Sequence, residues 1–196
     1  MNEPPFIIPG ASAGCQAPCF TVVVSPVTMR ERAKAFVALG ANLGEREAQV
    51  ERALLSLAAR GIGTTRRSSL YLTEPVGGPP QDWYVNAAAE LDTALPPEAL
   101  LTACLEVERA MGRVRTVKDG PRTIDIDLLL YGSLTRETDG LVLPHPRMHL
   151  RRFVLVPLAE IASAAVHPVL GLTVSELLAR CPDPSRVRAY SPAAVK

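Results

Sequence analysis

Two aspartates separated by a single residue lie within an apolar run of the sequence. Asp125 and Asp127 alternate with Ile124, Ile126 and Leu128. In a β-strand this alternation places both carboxylates on one face and the aliphatic side chains on the other, with the two aspartate Cα atoms about 6.6 Å apart. Carboxylates held this close repel each other and lose hydration, so a positive group must stand beside them.

A hard divalent cation is one positive group that meets this need. Mg²⁺ is bound by oxygen ligands and commonly uses one or two protein carboxylates together with the phosphates of a nucleotide. We therefore expect Asp125 and Asp127 to bind magnesium. The alternative is that Arg113, Arg115 or Arg122 neutralises the pair without a metal.

Basic residues are concentrated just before the aspartates. Between residues 112 and 122 the chain carries Arg113, Arg115, Lys118 and Arg122. Guanidinium groups bind phosphate oxygens through paired hydrogen bonds and can offset the charge that develops when a phosphoryl group moves. The segment is therefore typical of a polyphosphate-binding loop, although a solvated charged loop is the alternative. No GxxxxGK(S/T) motif occurs, so phosphate binding must rest on the metal and the arginines.

A second group of residues could contact a flat ring or a nucleotide. Tyr84 and Phe153 are aromatic residues near polar, proline-rich segments, where they could stack on a heterocycle. Asn86 lies two residues after Tyr84 and therefore on the same strand face, where its amide could hydrogen-bond the edge of that ring. His145 lies between two prolines, shortly before Arg151, and is a candidate ligand contact. Ordinary packing is the alternative for these side chains.

The composition limits the classes of protein to consider. With 196 residues and 47% hydrophobic content, the chain has room for one domain with a core. A net charge of +1 disfavours nucleic-acid binding by bulk electrostatics. The four cysteines are too sparse for a secreted disulfide scaffold, and the chain shows neither a basic signal start nor a bilayer-length apolar stretch. We expect a cytoplasmic monomer that binds small molecules and no nucleic acid or membrane.

The hydrophobic pattern predicts the elements that position the candidate residues. A poorly ordered extension at 1–33 precedes a single folded domain at 34–185 and a short tail at 186–196. Strands are predicted at 35–39, 65–72, 84–93 and 123–131, with a hairpin partner for the last strand at 141–143. Helices are predicted at 45–60, 96–111, 154–161 and 174–179.

The order of these elements predicts the fold class. Strand, helix, strand, strand, helix, strand is the order of the ferredoxin-like split βαβ arrangement. We therefore assign the chain to the α/β (α+β) class, as a single-domain sandwich of an antiparallel-dominated sheet and covering helices.

The motifs together resemble the hydroxymethyl-dihydropterin pyrophosphokinase family. The run from Lys118 to Leu129, KDGPRTIDIDLL, fits the signature of that family throughout. Supporting matches are VALGANLG at 37–44, YVNAA at 84–88, and LPH at 143–145 followed by Arg151 and Phe153. The resemblance covers about residues 35–181.

The resemblance implies an activity that spacing alone could not show. It implies a ferredoxin-like enzyme of folate synthesis that uses ATP as co-substrate and two Mg²⁺ ions, and that transfers pyrophosphate to 6-hydroxymethyl-7,8-dihydropterin with release of AMP. By position, Asp125 and Asp127 would hold the metals. Arg113 and Arg122 would stabilise the transferring group, and Arg115 would help from a closing loop.

The resemblance also assigns the residues that bind the two substrates. His145 and Arg151 would contact the nucleotide phosphates, with Glu108 and Leu128 nearer the nucleoside. The expected pterin contacts are ring stacking by Tyr84 and Phe153, a polar-edge contact from Asn86, and backbone contacts from Thr73 and Val76.

The chain departs from the family pattern at two positions. Asp119 replaces an aromatic residue that is frequent before the Gly-Pro-Arg sequence, and Glu74 stands where a proline is frequent. Two other readings of the sequence stay open: a binding module that has kept the pocket without catalysis, and a different metal-dependent phosphotransferase that uses the same aspartate pair.

Overall fold

The computed structural model describes residues 31–113 and 120–191. The strands are β1 (Ala33–Ala41), β2 (Gly63–Arg67), β3 (Tyr71–Thr73), β4 (Tyr84–Thr93), β5 (Asp125–Tyr131), β6 (Arg136–Thr138), β7 (Leu141–Leu143) and β8 (Val187–Ala189). The helices are α1 (Arg46–Ala58), α2 (Pro97–Ala110), α3 (Arg152–Ala162) and α4 (Val174–Ala179), and a short 3₁₀ turn spans Met148–Leu150.

The central sheet is antiparallel. Its strand order is β5-β1-β4-β3-β8, and β2 pairs with β4 beside β3. The first six predicted elements and their order are those of the split βαβ arrangement, so the predicted fold class is confirmed. The strand β4 has the bounds predicted for it, because its run of alternating apolar residues is long and uninterrupted.

Helices cover both faces of the sheet and bury two apolar layers. On one face Leu57 of α1 and Leu100 of α2 pack with the sheet residues Val37, Leu39 and Ile126. The other face packs against α3 and α4, which contribute residues such as Leu155, Leu158 and Leu177. The aspartates of β5 alternate with Ile126 and therefore lie on the α3 side. The α3 side of the sheet is consequently where the candidate site must form.

Two details of the predicted topology are wrong. The expected strand at 65–72 is two strands, because the chain leaves the regular ladder at Ser68, whose backbone N–H and side chain both bond to Ala88. The segment Leu141–Leu143 pairs with β6 rather than with β5 and forms a separate two-stranded sheet.

The C-terminal segment contributes to the central sheet. Strand β8, which falls within the tail expected at 186–196, pairs antiparallel with β3. The extension expected at 1–33 lies outside the described residues except for its last three. None of the helices within residues 31–113 and 120–191 is long and apolar enough to cross a membrane.

Candidate active site

A pocket opens on the α3 side of the sheet, where β1, β4 and β5 lie next to one another. It is lined by nine of the residues that the sequence singled out, namely Thr73, Val76, Tyr84, Asn86, Arg122, Asp125, Asp127, Arg151 and Phe153. The remaining lining residues come from the end of β1 and from the segment that joins β3 to β4. The two groups of candidate residues, one for phosphate and one for a ring, therefore share one pocket.

Strand register explains how these residues meet. Gly40 of β1 pairs with Asn86 of β4 on one side and with Asp125 of β5 on the other. A Cβ atom at position 40 would collide with Oδ1 of Asn86, so only glycine leaves room for that amide. Gly40 thus forms the floor of the pocket between the amide and the carboxylate.

Asp125 lies between two arginines. Nη1 of Arg113 is 2.5 Å from Oδ1 of Asp125, and Arg122 forms an ion pair with the other carboxylate oxygen. Arg113 also pairs with the buried carboxylate of Glu108, which accepts a 2.7 Å hydrogen bond from the backbone N–H of Ile126. These contacts join the end of α2 to the start of β5.

The arginines do not compensate the second aspartate fully. Burial, and after it the charge of Asp125, raises the pKa of Asp127 to about 6, although Arg151, Arg122 and Arg113 act in the opposite direction. The reading in which arginines neutralise the carboxylates therefore describes Asp125 but leaves Asp127 under-compensated. A bound cation would relieve this, because it favours the ionised form of the carboxyl group.

Two further titratable groups beside the pocket are shifted by burial. Burial raises the pKa of Glu108 to about 7. Burial, followed by the charge of Arg151, lowers the pKa of His145 to about 4. The imidazole of His145 is therefore neutral at pH 7, and its Nδ1 accepts a 3.2 Å hydrogen bond from the backbone N–H of Arg147. A neutral imidazole can donate to a phosphate from its other nitrogen.

The ring-binding side of the pocket is held by hydrogen bonds. Nδ2 of Asn86 donates to Oγ1 of Thr73 over 2.6 Å, and both residues are buried. The hydroxyl of Tyr84 donates to Oε1 of Gln81 at 2.9 Å and is 3.3 Å from the carbonyl oxygen of Gly120. The guanidinium of Arg151 lies 5.4 Å from the centre of the Phe153 ring. These contacts hold the polar and aromatic groups in place.

Asn42 is a residue to which the sequence pattern assigned no role. Its Oδ1 accepts a 2.8 Å hydrogen bond from the backbone N–H of Arg122, and its backbone N–H donates to the carbonyl of Arg122. Its Nδ2 donates to Oε1 of Gln81 at 3.0 Å and is 3.3 Å from the carbonyl oxygen of Asp82. Asn42 is 3% exposed. It therefore connects the Arg122 segment to the segment between β3 and β4.

The other predicted residues lie around the pocket or outside the described part of the chain. Arg113 and Glu108 lie behind Asp125, and the backbone N–H of His145 donates to the carbonyl of Leu129 on β5. Leu128 packs into the layer under α1 and α2, so its nucleoside contact stays a prediction. Arg115, Lys118 and Asp119 fall among residues 114–119, which lie outside the described residues.

Comparison with known proteins places the chain in one family. A family model described as 7,8-dihydro-6-hydroxymethylpterin-pyrophosphokinase (HPPK) matches residues 36–163. A 2-amino-4-hydroxy-6-hydroxymethyldihydropteridine pyrophosphokinase of Methylorubrum extorquens is 47% identical over 155 residues, which cover 79% of this chain and 96% of that protein. The protein of the same name from Bacillus subtilis is 45% identical over 128 residues, which cover 65% of this chain and 77% of its length.

Solved structures share the fold. The wild-type HPPK-DHPS of Plasmodium falciparum, solved with pterin and p-hydroxybenzoate, superposes with a TM-score of 0.61 at 16% identity. The match covers 77% of this chain and 43% of that chain, so the chain spans less than half the length of the solved protein. Because the family model matches more than half of its length, the chain belongs to the 7,8-dihydro-6-hydroxymethylpterin-pyrophosphokinase family, whose members transfer a pyrophosphoryl group from ATP to hydroxymethyldihydropterin in folate biosynthesis.

Proposed function

We propose that the pocket on the α3 side of the sheet carries out the reaction of the family in this chain, the transfer of pyrophosphate from ATP to 6-hydroxymethyl-7,8-dihydropterin. One observation carries the proposal: a carboxylate and arginine cluster and an aromatic and amide cluster line the same pocket. The first suits a polyphosphate and the second a flat heterocycle. Attack of a hydroxyl group on a phosphate requires two such sites side by side, because the reacting atoms must be held close together.

The pterin would bind on the side of β3 and β4. Tyr84 and Phe153 offer aromatic faces to the ring, and Asn86 offers its amide to the polar edge. The hydrogen bond from Asn86 to Thr73 fixes the orientation of that amide. Thr73 and Val76, which both line the pocket, would contribute backbone contacts.

Asp125 and Asp127 would hold magnesium, for which two ions are expected. Both carboxylates lie on one strand face, and the raised pKa of Asp127 is the shift that a cation would reverse. Within residues 31–113 and 120–191, no group of three or more His, Cys, Asp and Glu could hold a metal by itself. Two carboxylates, Asp125 and Asp127, suit an ion that takes its other ligands from nucleotide phosphates and water. When bound, magnesium would neutralise phosphate charge and orient the reacting oxygens.

The reaction needs positioning and charge neutralisation rather than a covalent nucleophile. The pterin hydroxymethyl oxygen forms a bond to the β-phosphorus, the bond from that phosphorus to the oxygen bridging the α-phosphate breaks, and AMP leaves. The hydroxyl proton passes to solvent or to a phosphate oxygen. Arg113 and Arg122 would stabilise the charge on the transferring group, since both guanidinium groups lie next to Asp125 and Arg122 also lines the pocket.

The remaining nucleotide contacts are assigned to residues in and around the pocket. His145 and Arg151 would bind the phosphates, and Glu108 and Leu128 would lie nearer the nucleoside. Arg115 would add a charge from the segment after α2. A cytoplasmic location and a monomeric state complete the proposal.

The test measures AMP formed from ATP and Mg²⁺ with and without hydroxymethyldihydropterin. Asp125→Ala and Asp127→Ala are compared with Asp139→Ala, whose side chain is exposed in the turn between β6 and β7. We expect pterin-dependent AMP release to fall at least about 100-fold in the first two variants, the scale of losing one preorganised charge-stabilising group. The thermal unfolding curves of all three should show that they are folded.

Two results would contradict this proposal, each in a different part. Unchanged turnover in both pocket variants would contradict the metal site. ATP binding by the unmodified protein without AMP release would favour a binding module that has lost catalysis.

A further inference from the structure

Strand β8 lies beside the segment that forms one wall of the pocket. We call residues 74–83, which join β3 to β4, the substrate loop. Val187 of β8 pairs with Thr73, the residue immediately before this loop, and Arg188 pairs with Leu72. The pairing continues past the strand, because the backbone N–H of Tyr190 donates to the carbonyl of Leu70 over 2.8 Å. The C-terminal strand therefore follows β3 up to the start of the substrate loop.

The first residue of the loop is bound by backbone and side chain together to Arg186, the residue directly before β8. The backbone N–H of Glu74 donates to the carbonyl of Arg186 over 3.0 Å. The carboxylate of Glu74 accepts hydrogen bonds from Nη2 of Arg186 at 3.1 Å, from its Nε at 3.4 Å and from its backbone N–H at 3.3 Å. These hydrogen bonds to Arg186 lower the pKa of the Glu74 carboxyl, so the pair is ionised at neutral pH.

The last residue of the loop, Trp83, contacts Arg186 and also Arg188 of β8. The guanidinium carbon of Arg186 lies 5.0 Å, and that of Arg188 4.7 Å, from the centre of the Trp83 ring. Residues two apart in a strand point to the same side, so both arginines reach one ring. Stacking of this kind is attractive because the cation lies over the negative face of the aromatic system. The carbonyl of Trp83 also accepts a 2.6 Å hydrogen bond from Arg46.

Both ends of the substrate loop are therefore held by two arginine side chains, Arg186 directly before β8 and Arg188 within it. Between those ends Pro75, Val76 and Gln81 line the pocket, and Tyr84 follows directly. We propose that Arg186 and Arg188 are positioning residues, which hold the substrate loop in the conformation that binds the pterin. The inference rests on the proposed function to the extent that this wall of the pocket binds the pterin.

The contact between Trp83 and the two arginines can be followed by the fluorescence of Trp83. Trp83 is the single tryptophan, so fluorescence excited selectively at tryptophan reports on the end of the substrate loop. The test compares Arg186→Met and Arg188→Met, which keep the length of the side chain and remove its charge. Arg136→Met is the matched control, because Arg136 also forms an exposed ion pair, 2.9 Å from Glu98, away from this pocket.

Two quantities are measured for each variant, acrylamide quenching of Trp83 and the KM for hydroxymethyldihydropterin at saturating ATP. We expect Trp83 to be quenched more readily in both arginine variants. The pterin KM should rise about 3- to 10-fold, because exposed cation–ring and ion-pair contacts each contribute only about 1 kcal/mol. The KM for ATP and the melting temperature should change little. Arg186→Lys should recover part of the pterin affinity, and Arg136→Met should behave as the unmodified protein.

Two results would overturn the inference. If quenching rises but the pterin KM is unchanged, β8 holds the loop without serving the site. If neither quantity changes, β8 does not hold the loop. Phe153→Ala and Asn86→Ala, measured in parallel, separate this from a failure of the proposed function. If those two also leave the pterin KM unchanged, the pocket itself has been assigned to the wrong ligand.

Discussion

Gly40→Ala adds one methyl group at the floor of the pocket and should weaken pterin binding. The added Cβ would collide with Oδ1 of Asn86, which lies opposite Gly40 in the β1–β4 pairing. The strand backbone cannot move away easily, because β1 is paired on both sides. The Asn86 amide must therefore turn, and it then loses its 2.6 Å hydrogen bond to Thr73.

The size of the effect follows from burial. Asn86 is 7% exposed and Thr73 is 1% exposed, so water cannot replace the lost partner. Leaving a buried polar group unsatisfied costs about 1–3 kcal/mol. If the turned amide also misses the pterin edge, the cost appears in binding, where every 1.4 kcal/mol is about tenfold in affinity. We expect the pterin KM to rise about 10- to 100-fold.

Steady-state rates of AMP formation at saturating ATP measure this KM, and thermal melting reports folding. Gly140→Ala is the matched control, because a Cβ at that exposed position would meet no atom within 4 Å. An unchanged pterin KM in folded Gly40→Ala would refute the reasoning. Equal effects of the two substitutions would refute it as well.

Two more predictions follow from buried polar groups. Asn42→Ala removes three side-chain hydrogen bonds and leaves the backbone N–H of Arg122 without its acceptor. We expect the KM values for both substrates to rise. The free energy of unfolding should fall by about 1–3 kcal/mol, which steady-state rates and thermal melting would show. In metal-free protein, Asp127→Asn should be stabilising at pH 7.5, because the folded pKa of about 6 exceeds the reference value of 3.8. That gain should shrink as the pH falls through 6, and melting curves at pH 5 and 7.5 test it; a gain that grows toward pH 5 would contradict the assignment.

The sequence predicts features that depend on neighbouring residues. The alternation around Asp125 and Asp127 determines their common face, and the structure brings both into one pocket with Arg122. The helix at 174–179 has the predicted bounds because Thr173 and Glu176 form a capping box three residues apart.

Features that depend on residues far apart in the sequence could not be predicted from these local patterns. Strand β8 has three residues and no periodicity, and its partner β3 lies more than a hundred residues earlier in the chain. The role of Asn42 depends on Gln81 and Arg122, which are 39 and 80 residues away. The restriction at Gly40 is visible only once its strand is paired with β4. Local sequence patterns therefore indicate the faces of strands and the ends of helices, whereas contacts set by strand pairing become visible only in the folded structure.

Following the phosphates of ATP tests the central claim most directly. With ATP labelled at the β-phosphorus and hydroxymethyldihydropterin, the account predicts that the label appears in a pterin diphosphate and that unlabelled AMP forms in equal amount. The same reaction with Asp127→Ala should leave the label in ATP. Formation of labelled ADP, or of label in free phosphate or pyrophosphate without a pterin product, would contradict pyrophosphoryl transfer at this pocket.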